Sequence, residues 1–113
     1  MYEACKEWKS YGLRCFIRHG AFNAPCGYVA VPKDHPLYGK GVDEDAVAVL
    51  PAYGGITYSS EDPFSDDWIF GFDMAHYLDF DQSDSFRCIR TDEECEKETN
   101  VLAKALHLVS IVK

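Results

Sequence analysis

Residues 68–79 limit the possible folds more than any other stretch, because the densest apolar run of the chain leads there into its only close grouping of Asp, His and Asp. Three aromatic side chains, at every second position from Trp68 to Phe72, alternate with smaller residues. This alternation is typical of a pleated, mostly buried strand. Gly71 within it indicates a position where another group approaches closely. The segment therefore predicts a strand that runs into a turn.

The predicted turn carries Asp73, His76 and Asp79 at intervals of three residues. In a helical turn this spacing keeps the three side chains roughly on one side, so the trio could hold a metal ion or share a proton. The same residues also suit a purely structural turn, in which Asp73 caps the turn, His76 hydrogen-bonds to backbone and Asp79 is solvated.

The length and composition predict one globular domain. A chain of 113 residues with 47% hydrophobic and 14% aromatic residues can bury a single core, so one domain is expected over 1–113. No apolar run approaches the roughly 20 residues of a membrane-spanning helix. The N-terminus lacks the basic start and apolar middle of a signal peptide. A cytoplasmic protein without membrane association is therefore expected.

The cysteines and the charge narrow the functional classes. The five cysteines are widely spread and include no C-x-x-C pair, which favours reduced, mostly buried thiols over a zinc or redox motif. The formal net charge is -8. Because such a surface repels phosphates, direct binding of DNA or RNA is not expected. It could attract a basic partner or imitate a nucleic acid, although acidic residues also serve solubility alone.

Several further strands are predicted, and the clearest pair forms a hairpin. Residues 11–19 alternate in polarity, residues 20–25 contain the Gly, Asn and Pro of a turn, and residues 26–31 return as a second strand that ends at Pro32. Other predicted elements are a short turn or arm at 2–10 that packs Trp8 onto the body, strands at 46–50 and 53–58, a polar loop at 59–67, and an edge strand at 86–89.

The clearest helix begins at Thr91. Thr91 and Glu94 form a capping box, and the three acids from Asp92 lie at the positive end of the helix dipole. A stripe of apolar residues indicates the face that packs on the sheet; it comprises Cys95, Leu102, Leu106 and Val109. The predicted fold class is α+β, a single domain with a mostly antiparallel sheet of about four to five strands packed by a C-terminal helix.

The loop at 33–41 is a candidate binding segment. His35 precedes a proline and is therefore biased towards extended geometry, while Lys40 lies between two glycines. One interpretation is that His35, Tyr38 and Lys40 lean over a pocket, as loop residues placed by a rigid scaffold often do. The other is an ordered connector. Lys40 does not belong to a phosphate-binding loop, because the required spacing is absent.

The pair Gly54 and Gly55 is a second candidate. Paired glycines can form a bulge or a place where a ligand meets bare backbone, and Thr57 then offers a hydroxyl beside it. A bulge with no ligand explains the same pair.

Four motifs in this order resemble a family of small hypothetical proteins of bacteriophages and prophages, over about residues 26–108. The motifs are Cys-Gly-Tyr-Val-Ala-Val-Pro (26–32), His-Pro-Leu-Tyr-Gly-Lys (35–40), Gly-Gly-Ile-Thr-Tyr (54–58) and Gly-Phe-Asp-Met-Ala-His (71–76). The resemblance implies site residues at His35, Tyr38, Gly54, Gly55, Thr57, Asp73, His76 and Asp79. The similar sequences commonly have Cys at 74, Gly at 78 and His at 53. This chain has Met74, Leu78 and Tyr53, which removes a potential thiolate and an imidazole and weakens a metalloenzyme interpretation.

The resemblance, together with the acidity, the small size and the lack of a catalytic signature, implies a small phage-encoded binding or inhibitory protein of the host cytoplasm. Such a protein would act on a host factor or a small signalling molecule, in host takeover or anti-defence, with no catalytic residues, metal or cofactor of its own. The predicted recognition face joins two loops and comprises His35, Tyr38, Lys40, Gly54, Gly55, Thr57, Asp73, His76 and Asp79. The alternatives are a small hydrolase or metal-binding enzyme that uses His35, Asp73, His76 and Asp79, and an acidic mimic of nucleic acid.

Overall fold

Five strands form one antiparallel sheet in the computed structural model, which describes residues 4–112 and, of residues 84–86, the backbone alone. The strands are β1 (Lys6–Ser10), β2 (Leu13–His19), β3 (Pro25–Val31), β4 (Tyr58–Glu61) and β5 (Trp68–Asp73). Their order across the sheet is β1-β2-β3-β5-β4, and every neighbouring pair is antiparallel. The predicted α+β class with its antiparallel sheet is confirmed.

The aromatic run in β5 lies inside the sheet, between β3 and β4. Phe70 and Phe72 are buried on the face covered by the C-terminal helix, and Ile69 is buried on the other face with Phe16. The prediction of a close approach at Gly71 is also correct. A Cβ atom there would lie 2.5 Å from Cδ1 of Tyr28, so the tyrosine ring occupies the space that a side chain would need.

The C-terminal helix covers one face of the sheet. Helix α2 (Asp92–Ile111) follows α1 (Asp45–Ala48), a single turn. The capping box predicted at Thr91 and Glu94 is present. The predicted stripe packs against the sheet: Cys95, Leu102 and Leu106 are fully buried, and Val109 is partly buried against them. None of the helices between residues 4 and 112 combines the length and apolar character needed to span a lipid bilayer.

The segment between β3 and β4 differs from its prediction. The expected strand at 46–50 is the turn α1, because burying both Val47 and Leu50 in the helix-side core requires a three-residue period. The expected strand at 53–58 is mostly a turn. Gly54 and Gly55 have φ angles of +68° and +92°, which break an extended backbone, so pairing with β5 begins only at Tyr58.

Both ends of the chain also differ from prediction. The expected arm at 2–10 contains strand β1, which pairs with β2 in a register that places Trp8 opposite Cys15. The predicted packing of Trp8 onto the body is correct, whereas Tyr2 of the same arm lies outside the described residues. The edge strand expected at 86–89 is β7 (Asp84–Cys88), which pairs with β6 (Phe80–Asp81) in a separate two-stranded ribbon and not with the main sheet.

Candidate functional site

The carboxylate of Asp79 is the centre of a buried polar cluster at the end of β5. Its side chain is 0% exposed. Oδ1 accepts a hydrogen bond from Nε of Arg90 at 2.6 Å and another from the hydroxyl of Tyr53. Oδ2 accepts from the backbone N–H of His76 at 3.0 Å and lies 3.2 Å from its Nδ1. We call Tyr53, His76, Asp79 and Arg90 the Asp79 cluster.

This arrangement corrects the expectation that Asp79 is solvated. Burial alone would raise the pKa of the Asp79 carboxyl group, but hydrogen bonds from Tyr53, Arg90 and His76 outweigh burial and lower the pKa to about 2. The same contact with Asp79 raises the pKa of Arg90. Asp79 is therefore ionised at neutral pH and has its bonding capacity taken up by the protein itself, so its role is to hold the turn in place.

His76 is fixed by the cluster and partly open to solvent. Its ring lies against Gly54, where a Cβ atom would come within 2.4 Å of Cε1. Nδ1 faces Asp79, whereas Nε2 lies on the side of Asp73, 3.9 Å from its Oδ1. The side chain is 43% exposed. The structure therefore presents one face of an oriented imidazole to the outside.

Asp73 and Thr57 lie beside this imidazole. Oγ1 of Thr57 donates to Oδ2 of Asp73 at 3.1 Å, and the backbone N–H of Ala75 donates to Oδ1 at 3.1 Å. Asp73 thus caps the turn, as one of the two interpretations predicts. The position of Gly55 is open, with no atom within 4 Å of where a Cβ would stand.

The predicted metal trio does not converge on one point. Asp73 and Asp79 face opposite nitrogens of the His76 ring. Since one ion binds only one nitrogen of a given imidazole in a mononuclear site, it cannot be coordinated through His76 by both carboxylates. Asp79 is also already bound to Arg90. The interpretation in which Asp73, His76 and Asp79 share one metal ion therefore does not fit this geometry.

The loop containing His35 lies elsewhere. His35 is buried and uses both ring nitrogens structurally: Nδ1 accepts from the backbone N–H of Leu37 at 3.0 Å, and Nε2 donates to the carbonyl of Leu106 at 2.8 Å. The hydroxyl of Tyr38 donates to the carbonyl of Asp66 at 2.9 Å. The carbonyl of Lys40 accepts from Ser59 and from the indole of Trp68. The loop is an ordered connector.

The predicted face that joins the two loops is therefore not formed. The loop at 35–40 contacts the Trp68 end of β5, and the turn at 73–79 follows the other end. Six strand residues span about 17 Å. The cause is the antiparallel pairing of β3 with β5, which places Val31 opposite Trp68 and sends the chain out at that end. The structure keeps Gly54, Thr57, Asp73, His76 and Asp79 together and separates His35, Tyr38 and Lys40 from them.

Sequence reasoning missed the most exposed residues of the turn. Tyr77 and Leu78 are 78% and 71% exposed, in a single 3₁₀ turn (Tyr77–Asp79) next to the Asp79 cluster. Phe80 follows them and meets the ring of Phe22 edge to face, with centroids 5.8 Å apart. We call Phe22, Tyr77, Leu78 and Phe80 the apolar tip. The available signal was the apolar pair between two polar residues, His76 and Asp79.

Comparison of the chain with models of protein families, with curated protein sequences and with solved structures found no match.

The low pKa of Asp79 predicts a loss of stability in acid. A carboxyl group whose pKa is lower in the folded state stabilises that state above its unfolded pKa of about 4, and the contribution disappears as the pH falls towards about 2. We expect this to remove about 2 kcal/mol from the free energy of unfolding. Urea unfolding of the wild type and of Asp79→Asn over this pH range measures this loss. The difference between the two free energies of unfolding should become smaller in acid, and a constant difference would contradict a low pKa of Asp79.

Proposed function

We propose that this protein is a small binding protein that docks its apolar tip onto a host protein and inhibits or redirects that protein. The observation that supports this is the exposure of Tyr77 and Leu78 on a turn that a buried carboxylate holds in place. Tyrosine is enriched among the residues that dominate binding energy at protein interfaces. Large apolar side chains that cluster at the surface mark interaction sites more often than scattered ones do.

The turn is ordered before any partner arrives. The backbone N–H of His76 binds Asp79, and the amide of Gln82 donates to the carbonyls of Tyr77 and Phe80 at 3.1 and 2.9 Å. A preordered segment loses less conformational entropy on binding, which leaves more of the contact energy as affinity. Fixing this turn is therefore a physical reason for the chain to retain a buried ion pair.

The shape and the charge of the surface indicate the kind of partner. Small molecules bind in concave sites, whereas Tyr77 and Leu78 project outward, so we favour a protein over a signalling molecule. The net charge of -8 complements an apolar recess bordered by basic residues. The resemblance to phage proteins implies a Gly at position 78, so Leu78 would distinguish the contact surface of this chain from theirs.

The contacts of His76 give less support to a hydrolase. A general base needs a nucleophile or a water within hydrogen-bond reach. The hydroxyl of Thr57 donates its proton to Asp73, so in this arrangement it does not donate that proton to Nε2 of His76. His35, the second imidazole of the predicted site, is buried near the opposite end of β5.

Truncating the tip should abolish partner binding. We expect Tyr77→Ala with Leu78→Ala to weaken binding by at least about 30-fold, because a residue that dominates an interface contributes about 2 kcal/mol or more. A tagged wild-type chain is first used to isolate and identify a partner from host lysate. The Kd of that purified partner is then measured by calorimetry for each variant.

Phe64→Ala is the matched control. Phe64 is an aromatic residue with 62% exposure, and it lies in the loop before β5, at the opposite end of that strand from the tip. Its removal should leave the Kd unchanged. Equal binding by the tip variant and the wild type, or an equal loss in Phe64→Ala, would refute the proposal.

A further inference from the structure

Three side chains from distant parts of the chain converge near the start of α2. Sγ of Cys5 lies 4.0 Å from Nε2 of His19 and 3.9 Å from Oδ2 of Asp92. Nε2 of His19 lies 2.7 Å from Oδ1 of Asp92. Unlike the trio around His76, these residues each offer one ligand atom that lies within 4.8 Å of the other two, and all three residues are exposed.

We propose that Cys5, His19 and Asp92 form a site for a zinc-class divalent metal ion. Thiolate, imidazole and carboxylate are the three side-chain ligands of protein-bound zinc, whereas Ca²⁺ and Mg²⁺ prefer all-oxygen sites. The site goes beyond the proposed binding function and does not depend on it. Three protein ligands leave a fourth tetrahedral position for water.

The spacing of the ligand atoms is close to that of a metal-bound set. With bond lengths of about 2.3 Å to sulfur and about 2.1 Å to nitrogen and oxygen, tetrahedral angles separate sulfur from either partner by about 3.6 Å and nitrogen from oxygen by about 3.4 Å. Sγ of Cys5 would therefore move about 0.4 Å closer to Nε2 of His19 and about 0.3 Å closer to Oδ2 of Asp92, and the 2.7 Å contact between Nε2 and Oδ1 would open so that a single carboxylate oxygen binds the ion. Side-chain rotations of exposed residues supply such movements.

The backbone around the site is well supported. The N–H of Cys5 donates to the carbonyl of Ile17 at 2.8 Å, which extends the pairing of β1 with β2. His19 is the last residue of β2. Asp92 is the first residue of α2, directly after the Thr91 cap. A metal ion would thus join the N-terminal segment, the sheet and the helix at one point.

The local charge favours a cation despite the helix dipole. The N-terminus of a helix carries about half a positive charge, whereas the first turn of α2 contains Asp92, Glu93 and Glu94. The nearby ammonium group of Lys6 is paired with Glu96. Glu94 is itself paired with Arg90 at 3.4 Å, so Asp92 and Glu93 are the two carboxylates that exceed the half charge of the dipole and make the surroundings of the site negative.

Binding would exchange a proton for the metal. In the absence of a cation, burial and the neighbouring Asp92 raise the pKa of the Cys5 thiol, and the thiol donates to the carbonyl of Ile17 at 3.3 Å. On binding, the sulfur–metal bond replaces the sulfur–hydrogen bond, and one proton per ion passes to solvent.

Cobalt(II) titration of the full-length, reduced protein tests the site. We expect a near-ultraviolet charge-transfer band, which arises only from a thiolate bound to the metal, and its loss in Cys5→Ser. Competition between cobalt and zinc then gives the zinc affinity of the wild type and of each variant. His19→Ala should weaken zinc binding by at least about 100-fold, since loss of an outer-shell partner already costs about 10–100-fold. Asp92→Asn should also weaken zinc binding.

Cys88→Ser and His107→Ala are the matched controls, since both residues lie outside the trio. They should bind cobalt and zinc like the wild type, and circular dichroism confirms that each variant is folded. No band in the wild type, a band that persists in Cys5→Ser, or wild-type affinity in His19→Ala and Asp92→Asn would overturn the proposal. The last result would mean adventitious binding to a thiol only.

Discussion

Replacing Asp79 with Asn is expected to lower the free energy of unfolding at neutral pH by about 3 kcal/mol. The substitution preserves the size of the side chain and removes the charge that faces Arg90 at 2.6 Å. Removing one partner of a buried ion pair costs about 3–5 kcal/mol, because the remaining group is left without its compensation. Because Arg90 is partly exposed, we expect a value at the lower end of this range. Urea unfolding monitored by circular dichroism measures the difference.

Asp66→Asn provides the control for the loss of one negative charge. Asp66 is highly exposed, and its carboxylate is 4.0 Å from Nζ of Lys33, so its replacement should change the free energy of unfolding by less than about 0.5 kcal/mol. If Asp79→Asn were as mild as Asp66→Asn, the Asp79 cluster would not hold the turn, and the rigid presentation of Tyr77 and Leu78 would lose its basis.

The second large effect is expected at Gly27, in the middle of β3. A Cβ atom there would lie 2.2 Å from Oγ1 of Thr99 and 2.6 Å from Cζ of Phe72. Thr99 is fully buried on α2 and donates to the carbonyl of Cys95 at 2.7 Å, so neither neighbour can withdraw freely. We expect Gly27→Ala to lower the free energy of unfolding by about 3 kcal/mol, as severe overpacking does, in the same urea assay.

Two further variants test whether the close approach of Thr99 causes the loss of stability in Gly27→Ala. In Gly41→Ala, the added carbon meets only the Asp43 side chain at 3.0 Å, and a change below about 0.5 kcal/mol is expected. Thr99→Ala removes the closest obstacle, so Gly27→Ala combined with Thr99→Ala should be less destabilised than the sum of the two single variants. Strict additivity would show that the helix does not press on Gly27.

Elements with a sustained local pattern were predictable. The cap at Thr91 and the stripe from Cys95 to Leu106 specify α2, and the aromatic alternation after Trp68 specifies β5. These signals lie within a few residues of one another, so they need no information about the rest of the chain. The short turn α1 was mistaken for a strand because four residues are too few to separate a period of two from one of three or four.

The candidate site is formed by segments that lie far apart along the chain. The order of residues in the sequence carries little information about which of these segments meet. Tyr53, Asp79 and Arg90 are 37 positions apart from first to last, yet they share one buried carboxylate. The antiparallel order β3-β5-β4 brings the turn after Gly54 beside His76 and sends the loop of His35 to the other end.

Local periodicity and capping thus specified the hairpin of β2 and β3, the strand β5 and the closing helix. Only the packed tertiary structure decided that Asp79 is buried, that Tyr77 and Leu78 are exposed, and that Cys5, His19 and Asp92 meet. The reason is physical: side-chain periodicity and capping motifs can be recognised within a few residues of the chain, whereas strand pairing, burial and the convergence of charged groups are properties of the whole packed molecule.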